Sequence, residues 1–364
     1  MKKITLLLLL LIQIFAFDGY SQVPTVNTGF TDLYYYNRLL GARYQALGKQ
    51  GVTLGGDIFS TTFNPAGLSE LQGMQVDIGY SKPVGPYDSA STTFVGFASK
   101  INNKITMGGY RSILQINNSV LTDYNNQKVL AASPSITNYC YTLAVRALPT
   151  FSFGLNLNFF SWKFLDLAPT NVAVFDFGFI KYYFLQSERR LTQKVTLAGS
   201  ITNFTFSRIQ TTSQKINVEE DIPTLARFGV NYQYGFYQNV WSSKLMTFNW
   251  IVTAEVQTML NSDYHKAARI GTELQFFECL SLRAGYNYET LKDPMVMDTM
   301  KVNLSDISFG IGINIPLDKF KFMDRPITIK FDGVYLPQEY YFVGKSPYKN
   351  YYNFNFSIIY RFAE

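Results

Sequence analysis

Charged residues and histidine are scarce in this sequence of 364 residues. Asp, Glu, Lys and Arg together make up 16% of it, against roughly 25% in a soluble domain. The single histidine, His265, falls in a loop between two predicted strands and is expected to be solvated. A lone loop histidine, with no serine motif at a recognisable spacing, gives no basis for nucleophilic catalysis. We therefore expect no enzyme activity and no cofactor.

Cysteine is nearly absent as well. Cys140 and Cys279 lie far apart, and neither belongs to a CxxC or metal-ligand spacing. Two thiols do not make a disulfide framework, so we expect both to be free and partly buried, and we predict no metal site. The net charge of +6 is modest for this length and the basic residues are scattered, which argues against a nucleic-acid partner.

The N-terminal stretch has the features of a secretory signal peptide. Lys2 and Lys3 form a positive n-region, and residues 4–17 are apolar except for Thr5 and Gln13. Gly19-Tyr-Ser21 supplies the small-x-small pattern that a signal peptidase needs, so we predict a signal peptide over residues 1–21 with cleavage before Gln22. The apolar run is shorter than the ~20 residues of a spanning helix, which disfavours a retained membrane helix.

Aromatic residues, in contrast, are abundant: the chain has 26 Tyr and 31 Phe. Beyond the signal peptide it has no apolar run long enough to span a bilayer as a helix. In hydrocarbon every backbone polar group must be paired, and only helices and closed barrels achieve this. An aromatic chain with little charge and no spanning helix therefore favours a β-barrel.

Side chains alternate with a period of two along many segments, as β-strands require. In residues 151–159 every odd position is large and apolar, whereas the even positions are Ser, Gly, Asn and Asn. Residues 306–316 and 351–362 alternate in the same way. These segments run about 9 to 12 residues, the length that a tilted strand needs to cross a bilayer, whereas strands of soluble proteins usually have about five or six.

We predict about fourteen such strands. They lie near residues 74–82, 91–100, 104–114, 137–147, 151–161, 172–184, 194–206, 223–234, 245–257, 266–277, 279–289, 305–316, 326–336 and 351–362. Connections after odd-numbered strands are mostly long and those after even-numbered strands mostly short, a pattern typical of bacterial outer-membrane barrels with both chain ends in the periplasm. The predicted fold is all-β: a transmembrane antiparallel barrel over residues 73–364. We expect it in the outer membrane of a Gram-negative bacterium of the Bacteroidota.

Residues 22–72 do not alternate in this way. Asn64-Pro65 favours a turn, and the small residues Ala66 and Gly67 permit close backbone approach. A fourteen-strand barrel has an interior that its own side chains would not fill. We therefore predict that residues 22–72 fold into the lumen as a hatch, rather than lying free in the periplasm or outside the barrel.

The run Gly41-Ala-Arg-Tyr-Gln-Ala-Leu-Gly48, with Asn64-Pro-Ala-Gly-Leu68 after it, resembles the N-terminal region of the long-chain fatty-acid transporter (FadL/TodX) superfamily and of the related PorV/PorQ group of Bacteroidota. Ile270-Gly-Thr-Glu-Leu274 with Leu282-Arg-Ala-Gly-Tyr286 is similar to a late hairpin of the same group. The resemblance implies fourteen strands and an N-terminal hatch whose element here would be Asn64, Pro65, Ala66 and Gly67. Lys49-Gln50 departs from the pattern, which has small residues there.

Several charged residues fall on the predicted inward side of the strands, where they avoid lipid. They are Arg227, Glu255, Arg269, Glu273 and Arg283, followed by Lys330, Asp332 and Arg361. An Arg or Lys facing lipid at mid-membrane would cost about 2–4 kcal/mol, which supports the inward placement. Such a luminal charge network either braces the barrel or contacts the hatch or a ligand carboxylate.

The leading functional hypothesis is a passive, hatch-gated transporter for small hydrophobic molecules such as long-chain fatty acids. The alternative is a PorV-like interaction subunit of the type IX secretion machinery that receives cargo proteins. The final strand ends at Phe362, similar to the terminal aromatic signal that barrel-insertion machinery reads. Expected partners are therefore outer-membrane lipid, that machinery, and either a hydrophobic small molecule or secretion-system proteins.

Overall fold

The computed structural model describes most of the chain after residue 39. The described residues are 40–82, 90–116, 119–122, 128–132, 135–163, 169–188, 190–205, 209–212, 217–220, 222–240, 243–261, 265–292, 301–338 and 349–362. The predicted signal peptide and residues 22–39 of the predicted hatch lie outside them. Among the described residues, no helix is long and apolar enough to cross a membrane.

Fourteen antiparallel strands of the described chain close into a barrel. They are β1 (Gly73–Ser81), β2 (Ala90–Lys100), β3 (Ile105–Ile116), β6 (Ser135–Leu148), β7 (Phe151–Lys163), β8 (Thr170–Ser187), β9 (Leu191–Phe204), β12 (Leu225–Val240), β13 (Ser243–Met259), β14 (His265–Phe276), β15 (Leu280–Lys292), β16 (Lys301–Pro316), β17 (Ile327–Gln338) and β18 (Lys349–Arg361). Each strand pairs with its neighbour in this order, and β18 pairs with β1. The predicted fold class is confirmed.

The period-two pattern explains why these residues form a membrane barrel. On β7, Phe153, Leu155 and Phe159 point outward and are exposed, whereas Asn156 and Asn158 are buried inside. The same division runs around the wall, so the outer surface is largely apolar and the inner surface largely polar. Pairing within a closed sheet satisfies the backbone groups that lipid cannot.

Some predicted boundaries are corrected. The predicted ten-residue connection after residue 234 is mostly strand, since β12 runs to Val240 and β13 begins at Ser243. The register shifts between Phe236 and Tyr237, and a bulge of this kind interrupts the alternation on which the prediction relied. Two long predicted loops each contain a short hairpin: β4 (Ser119–Thr122) with β5 (Lys128–Ala132), and β10 (Ile209–Thr212) with β11 (Asn217–Glu220).

The two ends of the barrel differ. One, the short-turn end, carries the turns at 101–104, 149–150 and 277–279, together with the start of β1 and the end of β18. The other, the long-loop end, carries the hairpins β4–β5 and β10–β11. In outer-membrane barrels short turns face the periplasm and long loops face outward.

Residues 40–72, called here the luminal segment, lie inside the barrel and are almost entirely buried. They form a short helix α1 (Ala42–Ala46) and two 3-10 helices, Ile58–Thr62 and Pro65–Glu70. A buried apolar cluster joins the segment to the wall: Tyr44, Ile58, Phe59 and Phe63 pack with Phe94 and Tyr110, among others. The segment therefore fills the middle of the lumen.

The two cysteines are free, as expected, and Cys279 provides a test of the orientation. Cys140 is buried and Cys279 is half-buried in the turn at the short-turn end. Burial and the neighbouring Glu278 carboxylate raise the pKa of the Cys279 thiol. A bulky, membrane-impermeant maleimide should therefore leave intact cells unlabelled and label Cys279 only after the outer membrane is permeabilised.

The thiolate is the reactive form, so the raised pKa predicts slower labelling than that of a free thiol at pH 7 and faster labelling toward pH 9. Cys279→Ser should abolish the signal. Labelling of Cys279 in intact cells would contradict this orientation, because it would place the short-turn end on the outside of the cell.

Candidate functional site

The Asn64–Gly67 element cross-links the luminal segment to the wall. The Asn64 amide donates to the carbonyls of Val52 (2.8 Å) and Phe179 (3.0 Å), and its Oδ1 accepts from the Ala66 N–H (3.0 Å). This last bond caps the second 3-10 helix, in which Pro65 occupies the first turn. Pro is tolerated there because its missing N–H would have no partner inside the helix. One buried side chain thus joins two parts of the segment and strand β8.

The wall beside this element is lined by glycine because the backbones nearly touch. A Cβ on Gly178 would lie 1.9 Å from the Asn64 Oδ1, and one on Gly154 would lie 2.4 Å from the Ala66 nitrogen. Real Cβ atoms do not approach so closely. Only glycine fits at these inward positions while the element stays where it is.

The same close fit recurs on the opposite wall. A Cβ on Gly285 would lie 1.9 Å from the Gly48 nitrogen, and one on Gly271 would lie 2.5 Å from the Leu47 oxygen. We call this set of inward glycines the glycine belt; its members are Gly154, Gly178, Gly229, Gly271, Gly285 and Gly310. It lies on six of the fourteen barrel strands and leaves the backbone of the luminal segment little room to shift.

Charged groups anchor the segment to strands β13 to β16. The Glu255 carboxylate accepts from the N–H groups of Gly51 and Val52, both at 2.9 Å. Lys49 lies 2.6 Å from Asp306, both side chains being almost fully buried. Gly48 and Lys49 both have positive φ, 82° and 63°, and this turn brings Lys49 to the wall. Lys49, where the sequence departs from the pattern it resembles, thus forms an ion pair with the wall.

Arg43 forms a further anchor, with Glu273 at 2.8 Å. Burial, the largest single effect, lowers the pKa of the Arg43 guanidinium, but Glu273, Tyr44 and Asp57 together outweigh it, and the pKa lies above its usual value. The next residue, Tyr44, donates its hydroxyl to Asp57 (2.8 Å). Burial, reinforced by Asp57, holds the pKa of the Tyr44 hydroxyl well above its usual value.

The five charged residues predicted as a luminal network all lie buried inside the barrel. They form two groups. In the first, Glu255 lies between Arg269 (3.1 Å) and Arg227 (3.8 Å). In the second, Glu273 pairs with Arg283 (2.9 Å) as well as Arg43. Both central carboxylates also hold the luminal segment, so the groups brace the wall and the segment together.

The flanking charges extend the second group. Arg283 pairs with Asp332 (2.7 Å), which in turn pairs with Lys330 (3.1 Å). Arg361 instead pairs with Asp318, in the turn after β16.

The expectation of a solvated His265 was wrong. His265 is the first residue of β14 and is 1% exposed. Its Nε2 lies 3.6 Å from Glu289, and its Nδ1 lies 3.2 Å from the Gln257 amide. β14 begins one residue before the predicted start at 266, so His265 belongs to the strand, and inward alternation buries the ring. No group of His, Cys, Asp and Glu among the described residues could hold a metal ion.

On strands β6 to β8 the inward side chains form a polar layer at the level of the luminal segment. Asp176 accepts from the amides of Asn156 and Asn158, both at 2.8 Å, and from the Asn203 N–H. Asn156 also donates to the Thr61 carbonyl (2.8 Å). We call Asn156, Asn158 and Asp176 the amide layer; it connects the wall to the segment.

Above the amide layer, toward the long-loop end, the inward side chains become apolar. We call this group the upper cluster: Leu114, Ile136, Phe160, Val172, Val174 and Ile222, with Trp162 packed against them. Phe160 and Val174 each lie two residues from a member of the amide layer on the same strand. The lumen therefore changes from apolar to polar over one step of the strand repeat.

The arrangement was compared with known proteins and solved structures. The sequence matches no protein-family model and no curated protein. Two solved structures of TodX, described as a monoaromatic hydrocarbon channel, are similar: its deltaS2 mutant has a TM-score of 0.52 at 11% identity over 90% of this chain and 99% of that one. Its deltaS2S3 mutant has a TM-score of 0.53 at 11% identity over 89% and 99%. The chain shares the fold of these channels.

A FadL homologue from Pseudomonas aeruginosa is also similar, with a TM-score of 0.46 at 11% identity over 89% of this chain and 98% of that one.

Sequence reasoning missed the glycine belt, the amide layer and the Lys49–Asp306 pair. The alternating pattern contained a signal for the amide layer and the glycine belt. On β8, Asp176 lies between the outward Phe175 and Phe177, and Gly178 follows on the same inward side. The partner of Lys49 has no local signal, because Asp306 is more than 250 residues away.

The glycine belt predicts the effect of a single methyl group. Gly285→Ala should push the luminal segment out of place, because its Cβ would meet the Gly48 backbone, and overpacking of this kind costs about 1–3 kcal/mol. We expect higher ion conductance in planar bilayers than for the wild type. Gly333→Ala is the matched control, since its Cβ would lie 3.5 Å from a Phe354 side chain. Equal conductance for both variants would show that the segment does not close the lumen.

The Lys49–Asp306 pair gives a second prediction. Lys49→Met leaves a buried carboxylate without this cation, and breaking one side of a buried pair costs about 3–5 kcal/mol. The luminal segment should become more sensitive to protease in detergent micelles. The double variant Lys49→Met/Asp306→Leu should recover part of the resistance, since it removes both charges. A double variant no better than the single would argue against the pair as an anchor.

Proposed function

We propose that this protein is an outer-membrane channel for small hydrophobic molecules. The observation that carries the proposal is the upper cluster, an apolar group that faces inward at the long-loop end. Water-filled barrels have polar interiors, and these side chains face away from lipid. These inward side chains are buried against one another at the outer mouth, and a hydrophobic molecule that entered between them would meet apolar contacts.

The aromatic members suggest the class of substrate. Phe160 and Trp162 provide ring surfaces, and aromatic pairs are favoured beyond their buried area. TodX, of the same fold, is described as a monoaromatic hydrocarbon channel. A single-ring hydrocarbon, or an aliphatic chain of the fatty-acid type, would fit this surface chemistry.

We further propose that the luminal segment acts as the hatch, with Asn64, Pro65, Ala66 and Gly67 as its moving element. A molecule in the upper cluster would lie next to the amide layer, which already contacts the segment through Asn156 and Thr61. The Asn64–Gly67 element is attached to strand β8 by a neutral amide–carbonyl hydrogen bond. The opposite side of the luminal segment is attached to the wall by the charged groups of Glu255, Asp306 and Glu273. Charge-assisted bonds are stronger than neutral ones, so the Asn64 side would release first.

The movement would be driven by the substrate gradient alone, with no energy source or cofactor. The apolar exterior would contact outer-membrane lipid, and insertion would rely on the barrel machinery that reads the strand ending near Phe362. The alternative function, a PorV-like subunit that receives cargo, would be indicated by co-purification of secreted proteins with the barrel.

Uptake by a transporter-deficient strain tests the proposal. Cells with the wild-type barrel should take up labelled toluene or oleate faster than cells without it. Phe160→Ala should reduce uptake several-fold, because it removes inward apolar surface. Leu155→Ala, an outward residue on the same strand, should not. No uptake by the wild type, with secreted proteins bound to it, would favour the cargo function instead.

A further inference from the structure

The outer surface of the barrel carries few charges, and those in the described part of the chain are all of one sign. Among the described residues of the barrel strands, no carboxylate points outward. Four cations do so: Arg111, Lys163, Lys181 and Lys266. This part of the outer wall therefore has a positive surplus that no carboxylate beside it offsets.

Two of these cations, Arg111 and Lys163, lie on the same part of the wall. Lys163 is the last residue of β7, at the long-loop end, and Arg111 lies on β3, two rows of outward residues nearer the middle. We call the outward residues of these rows the outer patch: Arg111, Tyr139 and Phe159, then Ile113, Thr137 and Ser161, then Gln115, Ser135 and Lys163. From the spacing of strands and residues, the Cα atoms of the two cations lie about 17 Å apart.

Neither cation forms an ion pair within the described chain, and both side chains are exposed. The Arg111 guanidinium lies 5.5 Å from the centre of the Tyr139 ring. This contact uses the face of the ring and leaves the five N–H donors of the arginine available. An arginine that faces hydrocarbon is costly, whereas one that lipid head groups can reach is tolerated. An anionic head group beside Arg111 would meet no competing carboxylate there.

The outer patch lies where the wall changes from apolar to polar. On the same strands, nearer the short-turn end, the exposed outward residues are apolar, such as Met107, Leu143 and Leu155. Between the two cations most outward side chains carry a hydroxyl or an amide: Thr137, Ser161, Ser135 and Gln115. Apolar side chains suit acyl chains, cations suit phosphate, and hydroxyl and amide groups both donate to and accept from a sugar.

We propose that the outer patch binds a phosphorylated glycolipid of the outer leaflet, the class of lipid that covers the surface of Gram-negative bacteria. The acyl chains lie against the apolar wall, a phosphate accepts from Arg111, and the sugar contacts the serine and threonine hydroxyls. Lys163 meets a further anionic group above them. The site goes beyond the proposed function, because it lies on the outside of the barrel and shares with that function only the outer-membrane location.

Three lipids separate the parts of this head group. Each is added to the purified full-length protein in non-ionic detergent, and bound lipid is counted by native mass spectrometry. Monophosphoryl lipid A has sugar and phosphate, phosphatidylglycerol has phosphate without sugar, and monogalactosyl diacylglycerol has sugar without charge. We expect lipid A to bind at the lowest concentration, phosphatidylglycerol at a concentration several-fold higher, and the galactolipid more weakly than either.

Variants locate the binding. Arg111→Gln and Lys163→Gln should each weaken lipid A binding several-fold, and the double variant should weaken it about tenfold or more, because bonds to charged groups are stronger than neutral ones. Lys181→Gln is the matched control. It removes an outward cation on β8 whose Nζ bonds to Thr150 in a turn at the short-turn end, so lipid A binding should not change. Migration of unheated samples in a denaturing gel checks that each barrel is folded.

Phosphatidylglycerol or the galactolipid bound as tightly as lipid A would overturn the proposal, the first because it would indicate a general surface for anionic lipid. Lipid A binding that the double variant leaves unchanged, or that Lys181→Gln weakens equally, would overturn it as well. None of these measurements uses uptake, so a failure here is distinct from a failure of the transport proposal.

Discussion

The close contact between two backbones, that of the luminal segment and that of the barrel wall, is the constraint on which the rest of the structure depends. A closed barrel of fourteen strands leaves a wide interior. The luminal segment fills it with main chain rather than with long side chains, and this is possible only where the wall has no Cβ. The anchoring ion pairs and the amide layer act on a segment whose position this fit has already set.

The barrel could be predicted from the sequence, and the interior only in part. Alternation such as that of residues 306–316 requires only local information, so it gave the strand count and the inward side of Glu255, Arg269 and Glu273. It failed where a bulge at Phe236 broke the repeat, and at His265, where the strand begins without a marker. Partners across the lumen, such as Lys49 and Asp306, are set by closure of the sheet rather than by neighbours in sequence. The contact between Asn64 and Gly178 likewise joins residues that are far apart in sequence.

The inner wall divides into parts with different chemistry. Strands β13 to β17 carry carboxylates and guanidinium groups that hold the segment, whereas strands β7 and β8 present glycine and amides to the Asn64–Gly67 element. Along the barrel axis there is a second division, from the upper cluster through the amide layer to a cavity at the short-turn end that is lined by Arg43, Glu273 and Lys330 among others. The chemical character of the inward side chains therefore changes both around the wall and along the barrel axis.

The contacts of the luminal segment with β18 have a consequence for the closure of the barrel. The Ala42 N–H bonds to Asn355, and Asn353 donates to Gln45 at 2.6 Å, while β18 also forms the closing pair with β1. The segment continues directly into β1, so the two strands of the closing pair are both tied to it, one by the chain and the other by these bonds. It thereby links the first and last strands a second time, independently of the ladder between them. The segment that occupies the lumen thus also reinforces the closure of the sheet.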